Sequence, residues 1–261
     1  MLCFFINGIV YAVGFAFDLI KIYTTILSSF AYCITVIIII YKSDKQELRR
    51  IFAWKKISLA EFSGIIIMFS GAIILYSKLC QIVPLFIPVP DDFWKWWYSS
   101  SNSLLLLIIS SCVFPGFTEE LFYRGLILRR FCRVYSPLKA LILSSIIFGL
   151  MHVNPWQMIT TPFMGFLLGW IYLRYKSIWL CVFLHFMNNL LAIFWISPTV
   201  EKYNSAFYTF TELQPLWLDM IGLMLFGIGL FITLMLTKEQ QGIFLRKKAI
   251  INGCKDNNND V

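Results

Sequence analysis

Charge is scarce in this sequence. Asp, Glu, Lys and Arg make up 14% of its 261 residues, where a soluble domain carries roughly 25%. Hydrophobic residues reach 59% and the mean hydropathy is +0.75. The deficit excludes an ordinary aqueous fold and makes the bilayer the solvent to reason with. The apolar runs lack period-two alternation, which argues against a membrane β-barrel. Helices remain, the other element that satisfies its own backbone in lipid. The seven cysteines (Cys3, Cys33, Cys80, Cys112, Cys132, Cys181 and Cys254) show no CxxC pair and no framework spacing. Most sit in apolar runs, where Cys packs as a small hydrophobe, so neither disulfides nor a thiol nucleophile are expected. The N-terminus has no basic leader region and no small-residue cleavage site, so it reads as a retained first span.

What is present is a series of apolar runs of about the length of a membrane crossing. Candidate spans cover residues 2–18, 22–41, 57–79, 101–130, 138–153, 156–174, 177–196 and 216–236. The fourth is too long for one straight crossing, and Pro115-Gly116 offers a kink or break inside it. The basic residues sort with this partition. With the N-terminus inside, seventeen of the 22 Lys and Arg fall on the inner side, among them Lys42, Arg49, Arg129, Arg130, Arg133, Lys139, Arg174, Lys176 and Lys238. Only Lys21, Lys78, Lys95 and Lys202 fall outside, and Arg124 lies within a span. The formal charge of +8 is therefore a topology signal rather than a nucleic-acid face, and no nucleic-acid partner is expected. The fold expected is an all-α integral membrane protein of about eight transmembrane helices with both termini cytoplasmic. The loop 84–100, with Pro84, Pro88, Pro90, Trp94, Trp96, Trp97 and Tyr98, reads as an interfacial anchor. The Asn/Asp-rich tail Asn252–Val261 reads as disordered.

Ionisable groups inside the spans stand out against this background, since each costs at least about 2.5–3.5 kcal/mol by insertion scales and usually marks function. The fourth span holds Glu119, Glu120 and Arg124 in FTEELFYRG, the fifth ends in FGLMHVN with His152, and the seventh holds His185, Asn188 and Asn189 in FLHFMNNL. No other histidine occurs in the chain. Glu120 and Arg124 are four apart, so carboxylate and guanidinium share a helical face and can pair. Glu119 lies about 100° round the helix with no partner at three or four residues, which leaves it the free carboxylate. His185 and Asn189 also project from one face. At about 1.5 Å per residue, Glu119 lies roughly 15 Å from the Arg129 cluster, His185 roughly 12 Å from the inner end of its span, and His152 about 20 Å along its own. These groups are expected to converge on the cytoplasmic side of mid-membrane.

A Glu, two His and an Asn in a secluded cavity suit amide hydrolysis by activated water. Glu119 would accept a proton from water that His152 helps to position, and donors on His185 and Asn189 would stabilise the resulting oxyanion. No Ser-His-Asp arrangement, paired aspartates or HExxH is present, so serine, aspartyl and thermolysin-like zinc mechanisms have no motif here. From the residues alone, two other uses stay open: pairs that tie helices together, and a relay lining a transport path.

At these residues the sequence resembles the CAAX-processing and bacteriocin-immunity-linked (CPBP, or Abi) membrane peptidases. Their pattern is EExxxR, then FxxxH, then HxxxN/B on separate transmembrane helices. It is met by Glu119-Glu120…Arg124, Phe148…His152 and His185…Asn189, in that order. The resemblance covers roughly residues 101–196, with no departure at the motif positions. It implies an eight-helix glutamic-type intramembrane endopeptidase in which Glu119 and His152 activate water and His185 and Asn189 form the oxyanion hole. Glu120 and Arg124 support them, and Phe148 packs to shape the cavity. The family has also been described as metalloproteases, because Glu and His can ligate zinc. The residues here spread over three helices without the local spacing of a zinc site, and no cofactor is expected.

The chain accordingly divides into an N-terminal transmembrane region (1–100), a CPBP-like catalytic core (101–196) and a last span with a cytoplasmic tail (197–261). The expected substrate is a membrane-associated peptide or protein, either a CaaX-type tail or a bacterial peptide precursor. The absence of targeting signals and the compact length lean towards a bacterial cytoplasmic membrane. Two alternatives belong to other classes: a non-catalytic bacteriocin-immunity or regulatory protein, and a proton-coupled transporter. Oligomeric state is not legible in the sequence.

Overall fold

Without water to bond stray amides, a chain in hydrocarbon closes its backbone within each element. The computed structural model describes residues 21–43, 45–52, 54–88, 104–152, 154–202 and 213–256, and among these there are helices and no strand. The chain is an all-α membrane protein. In order the helices are α1 Lys21–Ser43, α2 Lys45–Phe52, α3 Leu59–Phe86, α4 Leu104–Val134, α5 Pro137–Leu150, α6 Pro155–Tyr175, α7 Ile178–Lys202 and α8 Leu216–Asp256. The expected span at 2–18 lies outside the described residues, as do Pro90, Trp94, Trp96, Trp97 and Tyr98 of the aromatic loop. Among the described residues three segments are long and apolar enough to cross a membrane: Leu59–Phe86, Leu104–Val134 and Leu216–Thr237. Shorter apolar helical stretches are Ile26–Lys42, Pro137–Leu150 and Ile178–Phe194. At about 1.5 Å per residue α5 measures roughly 21 Å, less than the roughly 30 Å hydrocarbon core.

Several helix ends lie beyond expectation, with α4 reaching Val134 and α7 Lys202. α3 continues past residue 79 to Phe86, carrying Pro84 in its last turns. α8 runs on to Asp256, through the first residues of the tail that composition marks as disordered. Adding residues to an existing helix avoids the cost of nucleation, and the preceding Leu245–Ile251 stretch is rich in good helix formers.

The chain separates into two compact units, one of Met1–Lys55 with Leu79–Leu213 and one of Lys56–Lys78 with Gln214–Val261. In the second unit, the start of α3 is closed by a reciprocal capping box. Ser58 N and Oγ donate to Glu61 Oε2 at 2.9 and 2.8 Å, and Glu61 N donates back to Ser58 Oγ at 3.2 Å. α3 and α8 approach backbone to backbone: a Cβ on Gly71 would collide with the amide of Phe226, and one on Gly229 with that of Met68. A polar clasp ties the pair further along, where Lys78 Nζ lies 3.0 Å from Asp219 Oδ2 and donates to Gln214 O at 2.8 Å. Gln214 Nε2 donates to Ile74 O at 3.0 Å and to Asp219 Oδ1.

The first unit is organised around α4, which packs against α1, α5 and α7. Pro115 does not break it. The helix widens instead to π geometry over Ile109–Val113, returns to α over Phe114–Glu120, and widens again over Leu121–Leu128. Proline has no N–H for the carbonyl four residues back and its ring presses on that carbonyl; a π turn just before it relieves the clash. α5 and α6 form a tight antiparallel pair around residues 151–154, where Asn154 caps α6 by accepting from Gln157 N at 2.8 Å. A Cβ on Gly149 would strike the ring of Pro162, so glycine is what allows this approach. Indole donors add anchors: Trp179 Nε1 to Phe52 O at 3.2 Å and Trp156 Nε1 to Ile87 O at 2.6 Å.

Candidate active site

The two neighbouring carboxylates of α4 end in different surroundings. Glu120 is fully buried and forms the expected one-turn pair, with Arg124 Nη1 2.6 Å from its Oε1. The same oxygen lies 2.8 Å from His185 Nδ1 of α7, a contact that spacing within one helix could not reveal. Arg124 Nη2 donates onward to Gly165 O of α6 at 3.1 Å. One buried network thus joins α4, α6 and α7. Its members tolerate low dielectric because each charge faces an opposite charge or a dipole.

Glu119, about 100° round the helix, has no such partner. Its Oε2 is buried and without a hydrogen bond among the described residues, and His185 Nε2 stands 3.9 Å away. The carboxylate side chain is 29% exposed, against 0% for Glu120, so Glu119 faces open space where Glu120 faces protein. His185 therefore sits between the two carboxylates, bonded to one and opposed to the other.

His152 follows the end of α5, where the chain leaves the helix. Its Nδ1 is 2.8 Å from Phe148 O and 3.5 Å from Thr161 Oγ1. A carbonyl oxygen only accepts, so Nδ1 carries a hydrogen. The link between His152 and the α4 network is the Phe148 ring, whose centroid lies 4.9 Å from that of His152 and 6.1 Å from that of His185. The Arg124 guanidinium lies 4.8 Å over the same ring, and Tyr123 meets it edge-on at 4.9 Å. Phe148 thus holds four polar or aromatic side chains in register. Gly165 gives it room: a Cβ there would lie 3.0 Å from Phe148 Cδ1.

Asn189, one turn along α7 from His185, donates from Nδ2 to Ser111 O at 2.9 Å and accepts from Asn188 Nδ2 at 3.1 Å. The Ser111 carbonyl is the one whose normal helical donor would be the amide of residue 115, and Pro115 has none. Asn189 fills the gap, pinning α7 to the π turn of α4. One amide hydrogen of Asn189 is thus committed to backbone and the second is left for another acceptor. Ser111, Gly165 and Thr161 carry no sequence signal of their own. Ser111 is detectable in retrospect as the residue four before a proline in a span.

Glu119, Glu120, Arg124 and His185 come together directly, His152 joins through Phe148, and Asn189 joins through Ser111 on the same π segment. Among the described residues no three His, Cys, Asp or Glu side chains lie together as metal ligands. His185 engages Nδ1 with Glu120 and His152 engages Nδ1 with the Phe148 carbonyl, which leaves each ring only Nε2 for a further contact. The five cysteines Cys33, Cys80, Cys112, Cys132 and Cys181 are free thiols.

Residues 101–191 match a family model described as type II CAAX prenyl endopeptidase Rce1-like. Over 94 residues the chain is also 31% identical to YdiL of Bacillus subtilis (strain 168), a protein provisionally named a membrane peptidase. That match covers 36% of this chain and 38% of YdiL, so the chain spans well under half the length of the relative it matches. No solved structure matches. The family match contains all the motif residues from Glu119 to Asn189, which supports the CPBP resemblance read from their pattern.

Proposed function

With a core over residues 101–191 that is Rce1-like, we propose that the protein is an intramembrane endopeptidase that hydrolyses a peptide bond in a membrane-associated peptide or protein. One observation carries the reading. Of two adjacent carboxylates, Glu120 is buried and bound through Oε1 by Arg124 and His185, while Glu119 is 29% exposed and its Oε2 lies 3.9 Å from an imidazole nitrogen. A separation of 3.9 Å exceeds a hydrogen bond, so the pair is not closed, and Glu119 keeps an exposed side that a water can reach. That water is the nucleophile.

In this mechanism Glu119 takes a proton from the water as its oxygen attacks the substrate carbonyl, and later returns that proton to the leaving amine. His152 offers Nε2 as an acceptor that orients the water. His185 donates Nδ1–H to Glu120. For Nε2 to donate to the developing oxyanion as well, the ring must be imidazolium. The second amide hydrogen of Asn189 adds a donor one turn away. Glu120 and Arg124 act as positioning residues that aim His185. The substrate is a CaaX-type tail or a bacterial peptide precursor. The Bacillus relative supports a bacterial cytoplasmic membrane as the setting.

The test is cleavage of a mass-tagged library of soluble and lipidated peptides by the purified protein in detergent, with and without chelator. Wild type cleaves and Glu119→Gln loses between about 10²- and 10⁴-fold in rate, the usual span for a general base. Glu119→Gln keeps its thermal unfolding midpoint, because no hydrogen bond to the buried Oε2 is lost. Absence of cleavage by wild type across the library, or full activity of Glu119→Gln, overturns the reading in favour of an immunity or regulatory binding protein. Inhibition by chelator returns the metal to consideration.

A further inference from the structure

A second cluster of charge lies away from the hydrolytic residues. Arg129, Cys132 and Arg133 from the end of α4, with Tyr172, Leu173 and Lys176 at the end of α6, line one cleft of about 180 Å³. Three of the six lining residues are cations and none is acidic. The volume is below the roughly 300–1,000 Å³ of pockets that enclose drug-sized ligands, so the cleft suits a compact anion and not a peptide. Its floor is ordered: Arg129 Nη1 donates to the hydroxyl of buried Tyr172 at 3.2 Å.

Lys176 is the second observation. It follows the last residue of α6 with φ 51° and ψ 30°, the left-handed conformation that glycine or asparagine adopts more readily. Among the described residues it is the only non-glycine with positive φ. The lysine at this position places a cation in the lining of the cleft. Although this side chain reaches solvent, surrounding protein atoms desolvate its ammonium and lower its pKa, with Arg129 adding to the shift and Cys132 partly offsetting it. A bound anion would relieve that crowding.

The cleft opens where apolar helices end. Nearby, Lys139 lies 4.8 Å over the Tyr135 ring and Arg174 lies 5.2 Å over that of Trp170, the pairing of cations with amphipathic rings found at headgroup level. Basic pockets between helices at the cytoplasmic interface take acidic headgroups. We propose that the cleft of Arg129, Arg133, Tyr172 and Lys176 binds a phosphate group, supplied by the headgroup of an acidic phospholipid.

The test titrates the purified full-length protein with short-chain phosphatidylglycerol, short-chain phosphatidylcholine and inorganic phosphate, with binding read by native mass spectrometry. Phosphatidylglycerol binds saturably and phosphatidylcholine does not. Arg133→Gln, which leaves the α6–α7 turn intact, weakens binding about fivefold, and Arg133→Gln with Lys176→Asn about 30-fold, as expected for one and two near-surface cations. Asparagine accepts the left-handed conformation, so the double variant removes charge without straining the turn. Lys139→Gln, outside the cleft, leaves binding unchanged. Equal weakening by Lys139→Gln, or no difference between the two lipids, overturns the site. Inorganic phosphate binding at the cleft in preference to phosphatidylglycerol overturns the lipid source and identifies a free phosphate site.

Discussion

The two compact units treat buried polarity in opposite ways. In the α3–α8 unit, the charged and amide side chains of the clasp answer one another. Lys78 meets Asp219 and the Gln214 carbonyl, and Gln214 meets Ile74 O and Asp219, beside backbones that glycines bring together. In the α4–α7 unit, Glu120, Arg124 and His185 are joined just as firmly, yet one oxygen of Glu120 and one of Glu119 keep no hydrogen-bond partner among the described residues. A clasp that only holds helices together has no use for an open carboxylate in low dielectric. The contrast shows where this protein departs from what stability favours, and such departures gather at functional sites.

Substitutions that remove one polar partner in each unit test this contrast. The largest effect belongs to Arg124→Gln. It leaves Glu120 buried beside His185 without its guanidinium, and breaking a buried pair in this way costs about 3–5 kcal/mol. Detergent-based thermal unfolding should show a large fall in midpoint together with loss of cleavage, and an unchanged midpoint would sink the claim that this pair organises the core.

Asn189→Ala comes next. It exposes the Ser111 carbonyl that Pro115 cannot bond, at a cost of about 1–3 kcal/mol for an unsatisfied buried acceptor. The double variant Pro115→Ala/Asn189→Ala restores an amide donor to that carbonyl. Its unfolding midpoint should lie above the value predicted by adding the two single changes. Strict additivity would mean that Asn189 holds α7 by some other contact. Lys78→Gln should give the smallest shift, because Asp219 keeps Gln214 as a donor. A loss matching that of Arg124→Gln would erase the distinction between the units.

Much of the site was legible because its logic is local. Glu120 and Arg124 are one turn apart on one helix, and a lone acid beside a paired one can be identified by counting residues. The helical class and most span positions followed from the bilayer's demand for long apolar runs. The contacts that cross helices were not legible in this way. Counting along α7 puts His185 and Asn189 on one face and suggests a shared role. In the structure His185 reaches Glu120, while Asn189 repairs a backbone defect 78 residues away. The place of Phe148 at the centre of four side chains was likewise hidden, since nothing in an FxxxH spacing says which helices close on that ring. The continuity of α4 through Pro115 also lay beyond pattern reading, because a π turn leaves no signature in composition.

By itself, then, the sequence determined the solvent, the element type, the residues dear enough in hydrocarbon to need a reason, and which of them share a helical turn. These are properties of apolar area, backbone satisfaction and the 3.6-residue period, all of which act over short stretches of chain. Tertiary structure alone decided which carboxylate His185 bonds and which it merely faces, that Asn189 serves the carbonyl orphaned by Pro115, and that three cations from two helix ends share one cleft. Those outcomes depend on how α4, α6 and α7 approach one another. That approach is set by glycine contacts and ring packing among residues far apart in the chain, which no local period encodes.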